Sequence, residues 1–111
     1  MSEITWSDFE RVDIRIGTVV RAEPFPEARK PAYKLWIDLG ALGERQSSAQ
    51  ITDRYGLEEL VGRQVVCVVN FPPKRIGPFV SEVLVLGAYA DGHTVILLRP
   101  DQDVERGSRI G

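Results

Sequence analysis

At 111 residues, with 43% hydrophobic and 27% charged side chains, the chain has the composition of one soluble folded domain, not of a disordered segment. Its formal charge of −2, from 14 Lys+Arg against 16 Asp+Glu, argues against polyanion binding by overall basicity, so any nucleic-acid contact has to rest on a local cationic patch. No apolar run reaches a membrane-spanning length and the start MSEITWSDFERVDIR has no apolar signal core. Cys67 is the one cysteine, so no internal disulfide forms; a cytoplasmic, reducing location without membrane insertion is expected.

Thr5, or Ser7 and Asp8, can cap a single helical turn that places Trp6 and Phe9 on one face. Those aromatics suit either a seal over the core or a subunit contact. Residues 12–23 alternate, with Ile14, Ile16 and Val20 on one face and Arg11, Asp13, Arg15 and Arg21 on the other, which predicts a strand with the first face inward. Gly17 marks a bulge or bend, and a long bent first strand commonly opens a small closed barrel. Three prolines in residues 24–32 exclude a helix or central strand there, and Arg29 and Lys30 make that loop positive. Residues 33–39 alternate again, with Leu35, Ile37 and Leu39 inward. Trp36 then points outward, as a partner contact or as cover for a neighbouring strand.

Residues 40–43 read as a turn. Residues 44–51 predict a polar, exposed strand whose side chains, Ser48 and Gln50 among them, can hydrogen-bond a ligand across an open sheet face. Residues 55–62 read as one or two helical turns ended by Gly62, placed where a short helix plugs a barrel. Apolar runs within 64–71 and 80–90 read as core strands, with Cys67 as a small core side chain. Between them Pro72, Pro73 and Pro78 stiffen a loop carrying the adjacent cations Lys74 and Arg75, which reads either as a binding platform or as a solvated hairpin tip. Asp91-Gly92 sets a hairpin turn before a strand over 93–99. Residues 101–111 are polar except for Val104 and Ile110.

Catalytic constellations do not assemble. His93 is the single histidine and sits at a turn, Ser47 and Ser48 lack a nucleophile-elbow context, and one Cys with one His cannot build a zinc site. The chain is expected to be no enzyme and to use no cofactor or metal. A five-strand β pattern with a short helix after the third strand and two basic, proline-stiffened loops outlines an all-β, OB-type barrel, one domain over residues 1–111, which binds ligands on a strand face bordered by loops.

The runs VDIRIGTVVRAEPFPEARKPAYKLWIDLG, SSAQIT and GLEELVGRQVVCVVNFPPKRIGPFVSEVLVLGA resemble the CsaA family of bacterial chaperones, part of the wider tRNA-binding-domain family that includes the C-terminal domain of many methionyl-tRNA synthetases. The resemblance implies a five-stranded OB-fold barrel with short helices, extended by N- and C-terminal elements that build a homodimer interface. It also implies a role in binding unfolded or pre-export polypeptides, with the export machinery as a further partner and tRNA as the alternative ligand. Members of the wider family share the segment from Asn70 through Lys74, Gly77, Ser81 and Glu82. In the expected groove Phe71, Phe79 and Trp36 supply apolar contact, while Lys74, Arg75, Arg29 and Lys30 supply rim charge. Ser48, Gln50, Asn70, Ser81 and Glu82 complete the expected ligand set. Two departures from the wider family, Gln46-Ser47-Ser48-Ala49-Gln50 after Arg45 and the lengthened stretch 27–33, favour peptide over RNA; Lys74 keeps RNA open.

Overall fold

The structure, a computed structural model, describes residues 2–111. Helix α1 (Trp6–Glu10) is fixed by a capping box: the Asp8 N–H donates to the Thr5 hydroxyl at 3.1 Å, and the Thr5 N–H donates to the Asp8 carboxylate at 2.9 Å. Trp6 and Phe9 stack, their ring centroids 5.6 Å apart, and no residue of the helix is buried.

The long strand β1 (Ile14–Pro24) organises the barrel. With β2 (Tyr33–Asp38), β3 (Glu44–Ala49), β4 (Gln64–Val68), a short β5 (Lys74–Ile76) and β6 (Phe79–Ser81), and β7 (Leu84–Val85), it gives a five-stranded antiparallel sheet in the order β3-β2-β1-β4-β7 and a separate β5–β6 ribbon. Residues 14–18 of β1 pair with β4 and residues 18–24 with β2, and the register slips between Val19 and Arg21. That bulge at Val20 adds the bend that lets one strand serve both walls. The sheet then closes on itself, because Glu82 N–H donates to the Gln46 carbonyl at 2.8 Å and Ser48 N–H donates to the Ser81 hydroxyl at 3.1 Å. The result is the expected all-β OB-type barrel, nearly closed. β8 (Gly87–Ala90) and β9 (Thr94–Leu97) form a hairpin whose turn puts Asp91 at φ +51° and Gly92 at φ +82°, as the Asp-Gly pair requires.

Val19, Leu35, Ile37, Leu39, Val65, Cys67 and Val83 fill the barrel, and Leu60, following a 3-10 turn (Leu57–Glu59), plugs it as the sequence predicts. Burial pushes the Cys67 thiol up to about 12, which leaves it a core side chain with no thiolate chemistry.

Three expectations change. The barrel-facing side of β1 carries Gly17 and Val19, not Ile14, Ile16 and Val20: a Cβ on Gly17 would run into the side chains of Ile37 and Leu39, and Val19 belongs to the main core. Ile16 is buried on the other face, where residues 107–110 run alongside β1, and the bulge turns Val20 to solvent. β3 is no exposed edge, since the closing contacts at residues 81–82 bury Ser47 and Ala49. Finally, the proline-rich loop is a β-ribbon, with Gly77 at φ +57° making the turn between β5 and β6.

Candidate functional site

The β5–β6 ribbon is carried by the seam that closes the barrel. Gln46 holds that seam from several sides: its N–H donates to Glu82 Oε1 at 3.0 Å and its side-chain amide donates to the Val80 carbonyl at 2.8 Å. Ser81 and Glu82 are thereby fixed in place by the backbone of β3, with one Glu82 oxygen left over among the described residues.

Two clefts meet at Lys74. The first, about 320 Å³, is walled by Phe71, Pro72, Val83 and Leu84, with Lys74, Ser81 and Glu82 at its polar side. Phe71 is 54% and Leu84 47% exposed, so this apolar surface is open to solvent. An apolar wall with a cation and a carboxylate beside it can take an apolar group that carries hydrogen-bonding groups alongside. The second cleft, about 540 Å³, lies between the loop 24–32 and the ribbon and is lined by Arg29, Lys30, Lys74, Arg75, Ser48 and Gln50, with Glu27 as its one carboxylate. Among the described residues none of those four cations is in a salt bridge, whereas Arg15, Arg21, Arg54 and Arg106 all are. Unpaired cations gathered in a concavity focus a positive potential and attract anions.

Nine of the twelve expected ligand residues therefore line these two clefts: Phe71, Lys74, Ser81 and Glu82 the first, and Arg29, Lys30, Ser48, Gln50 and Arg75 the second, with Lys74 common to both. The other three do different work. Asn70 is a strut: its Oδ1 accepts from the Asp13 N–H at 3.0 Å and its Nδ2 donates to the Arg11 carbonyl at 2.7 Å, tying the end of β4 to the α1–β1 connection. Phe79 is buried against Phe25 and Ala32 and gives a ligand no wall. Trp36 does not stand free; its Nε1 donates to Gln46 Oε1 at 3.1 Å, the Arg21 guanidinium lies 4.2 Å from its ring centroid, and its ring meets Phe79 edge-on. Sequence reasoning missed Pro72, Val83 and Leu84 as walls of the first cleft, and missed Phe25 altogether. A phenylalanine between Pro24 and Pro26 was the available signal, since a large apolar ring in a stiff loop needs somewhere to pack.

Among the described residues no helix is long and apolar enough to cross a membrane, and no group of His, Cys, Asp and Glu is placed to hold a metal ion.

The family described as "Putative tRNA binding domain" matches residues 14–109. The fold is similar to chaperone CsaA from Bacillus anthracis, at 53% identity and a TM-score of 0.94 over 99% of this chain and 100% of that one. It is likewise similar to the CsaA chaperone protein of Picrophilus torridus, at 49% identity and a TM-score of 0.92 over 98% of this chain and 100% of the other. The methionine–tRNA ligase of Methanocaldococcus jannaschii is 37% identical over 110 residues, which are 99% of this chain and 17% of the ligase. The chain thus spans about one sixth of the length of the curated ligases it matches.

Proposed function

We propose a polypeptide-binding, chaperone-like role, from the premise that the chain belongs to the tRNA-binding-domain family and stands within it beside the CsaA chaperones. The observation that carries this reading is the open apolar cleft at Phe71, Pro72, Val83 and Leu84 with Lys74 and Glu82 at its border. Broad recognition of unfolded chains needs an apolar contact surface with a few polar groups and no sequence code, which is what this cleft offers. The clients are unfolded or pre-export polypeptides in the cytoplasm, handed on towards export, and the domain acts on them by binding alone. Two copies act together, joined through the apolar surface around Trp6, so that one assembly presents two clefts. The test is titration of a labelled, reduced and unfolded polypeptide. Leu84→Asp, which puts a charge into the apolar wall, is expected to weaken binding about tenfold or more, with little dependence on salt in either protein. An unchanged affinity in the variant rejects the cleft as the site.

The second cleft favours a second reading, RNA binding. Arg29, Lys30, Lys74 and Arg75 converge without carboxylate partners among the described residues, and Ser48 and Gln50 add neutral hydrogen-bonding groups. An OB-type barrel binds RNA strands through such a cationic groove. This reading predicts tRNA binding that falls steeply with salt and weakens on Lys74→Ala. Filter binding at two salt concentrations separates the two readings, because salt-insensitive or absent tRNA binding leaves only the first.

A further inference from the structure

The cluster that removes Phe79 from the binding surface lies apart from the barrel core. Phe25, Ala32 and Phe79 are buried together, with Ala28, Trp36 and Ile76 packed around them. The rings meet edge-to-face, Phe25 to Phe79 at 5.4 Å and Trp36 to Phe79 at 5.9 Å between centroids. Lys34 Nζ lies 5.1 Å from the Phe25 ring and 5.6 Å from that of Phe79, so the ring faces are used as well. Phe25 and Ala28 come from the loop that carries Arg29 and Lys30; Ile76 and Phe79 come from the ribbon that carries Lys74 and Arg75. Among the described residues no backbone hydrogen bond joins that loop to that ribbon. The aromatic cluster is therefore the fastening between the two cationic arms.

Holding four like charges around one cleft costs electrostatic energy, which salt only partly screens over distances of about 10 Å. The loop between β1 and β2, residues 25–32 with prolines at 26 and 31, has no ladder of its own to resist that repulsion. We propose that Phe25 and Phe79 are positioning residues: they touch no ligand, yet they hold Arg29 and Lys30 opposite Lys74 and Arg75 so that one phosphate chain meets all four cations at once. The inference rests on the RNA reading of the second cleft. Released from the ribbon, the loop would lend its two charges only transiently, and fewer counterions would be displaced in each binding event.

The experiment measures the affinity of the full chain for unfractionated tRNA over a range of salt concentrations, with a thermal melt of each protein as the folding control. Lys74→Ala with Arg75→Ala tests the reading; unchanged affinity and slope would reject the basic cleft, and the inference with it. If that pair weakens binding, Phe25→Ala tests the inference. Its expected result is an affinity about tenfold lower at low salt and a slope of log affinity against log salt shallower by about one and a half to two, the loss of two phosphate contacts. Phe25→Leu keeps most of the buried volume and should fold where Phe25→Ala does not, with an intermediate slope. A disulfide made by Glu27→Cys and Gly77→Cys supplies the rescue. A Cβ on Gly77 would lie 3.9 Å from that of Glu27, within the range a disulfide spans. Because Gly77 holds φ +57° and Glu27 is the cleft's carboxylate, the same two cysteines in the chain with Phe25 intact are the reference for the slope. Placed in whichever Phe25 variant folds, the oxidised crosslink is expected to restore the slope. A slope that both Phe25 variants leave intact, or that the crosslink fails to restore, overturns the proposal even where the arginine and lysine contacts are real.

Discussion

Asn70 and Gly17 carry loads that their residue types conceal. Asn70 lies in the segment that the resemblance marks for binding, yet both ends of its amide are spent on the backbone of residues 11 and 13. Asn70→Ala is expected to lower stability by about 0.5–1.5 kcal/mol, since both lost bonds lie at an exposed site where water can take the amide's place, while leaving polypeptide affinity unchanged in the folded protein. Urea melts alongside a binding titration would check it, and a loss of affinity with unchanged stability would return Asn70 to the ligand set. Gly17 leaves room inside the barrel: an added Cβ would sit 2.8 Å from Leu39 Cδ2 and still closer to a methyl of Ile37. Gly17→Ala therefore overpacks the core and is expected to cost about 1–3 kcal/mol, although Ala suits a strand better than Gly in isolation. At this scale charge is legible in the sequence, and the structure gathers Arg29, Lys30, Lys74 and Arg75 around one cleft. Asn70, Phe79 and Trp36 are less legible, because one residue type serves equally as strut, clasp or contact and only its neighbours decide which.

Among the elements, residues 107–110, a closing segment laid along β1 and distinct from the seam at residues 81–82, explain why alternation picks the wrong inner face of β1. Ile14, Ile16, Thr18 and Val19 put apolar or adaptable side chains on both parities of the strand, so alternation could not choose between them. The choice was made by residues 107–110, from the far end of the chain, whose backbone bonds to Ile14 and Ile16. The close approach depends on Gly107, at φ +89°, where an added Cβ would meet the Leu39 carbonyl oxygen at 2.5 Å. By contrast β2 is legible, because Leu35 and Ile37, with Leu39 just past its end, alternate with Lys34, Trp36 and Asp38. Two carboxylates fasten the closing segment. The Arg15 guanidinium, donating at 2.7 Å, holds the Asp13 carboxyl below its ordinary range, and Arg109 adds to the attraction. The Asp38 carboxyl is also held low, by the Gly40 N–H and then by Arg106, whose guanidinium donates at 2.6 Å. Since both carboxyls titrate lower in the folded chain than in the unfolded one, their contribution is present above about pH 4 and drains away as the pH falls through the depressed values. Protection against hydrogen exchange, taken relative to the intrinsic rate at each pH, is expected to fall at the amides of Gly107 and Ile110 in acid before it falls in β2, and Asp38→Asn should produce part of that loosening already at neutral pH. Uniform exchange across β1, β2 and the closing segment at every pH would contradict this account.

For the molecule as a whole, exposed apolar side chains line hollows at two places, with Val61 and Tyr89 standing exposed elsewhere, and only one of the two is the proposed client cleft. The other gathers Ile4, 71% exposed, and Trp6, 75% exposed, with Phe9, Val12 and Ile110 around shallow hollows about 340 and 350 Å³ in volume. A capped helix that buries none of its own residues gains little packing from the barrel, beyond the Arg109 bond to the Glu10 carbonyl and the Asn70 bond to that of Arg11, and so short a helix is marginal in isolation. Its order then depends on what covers Trp6, and a second copy laid face to face covers both surfaces with one self-complementary patch. Sequence reasoning left the subunit boundary open between Trp6 with Phe9 and Trp36; the Arg21 stack and the Gln46 bond engage Trp36 within its own chain, which leaves the Trp6 face as the proposed boundary. The expected mass in solution is that of a dimer, and Trp6→Glu, which buries a charge in that contact, should shift it to monomer with the barrel still folded. Sedimentation at several concentrations reads the mass. The monomer should still bind a short peptide with one apolar anchor about as well as the wild type, because the cleft at Phe71 and Leu84 is complete within one chain. It should bind a long unfolded polypeptide markedly more weakly, since only a dimer can engage two segments of one client and gain from their effective concentration. Equal loss for short and long ligands would mean that Trp6 supports the cleft itself, and a wild type that sediments as a monomer would remove the two-copy assembly from the proposal.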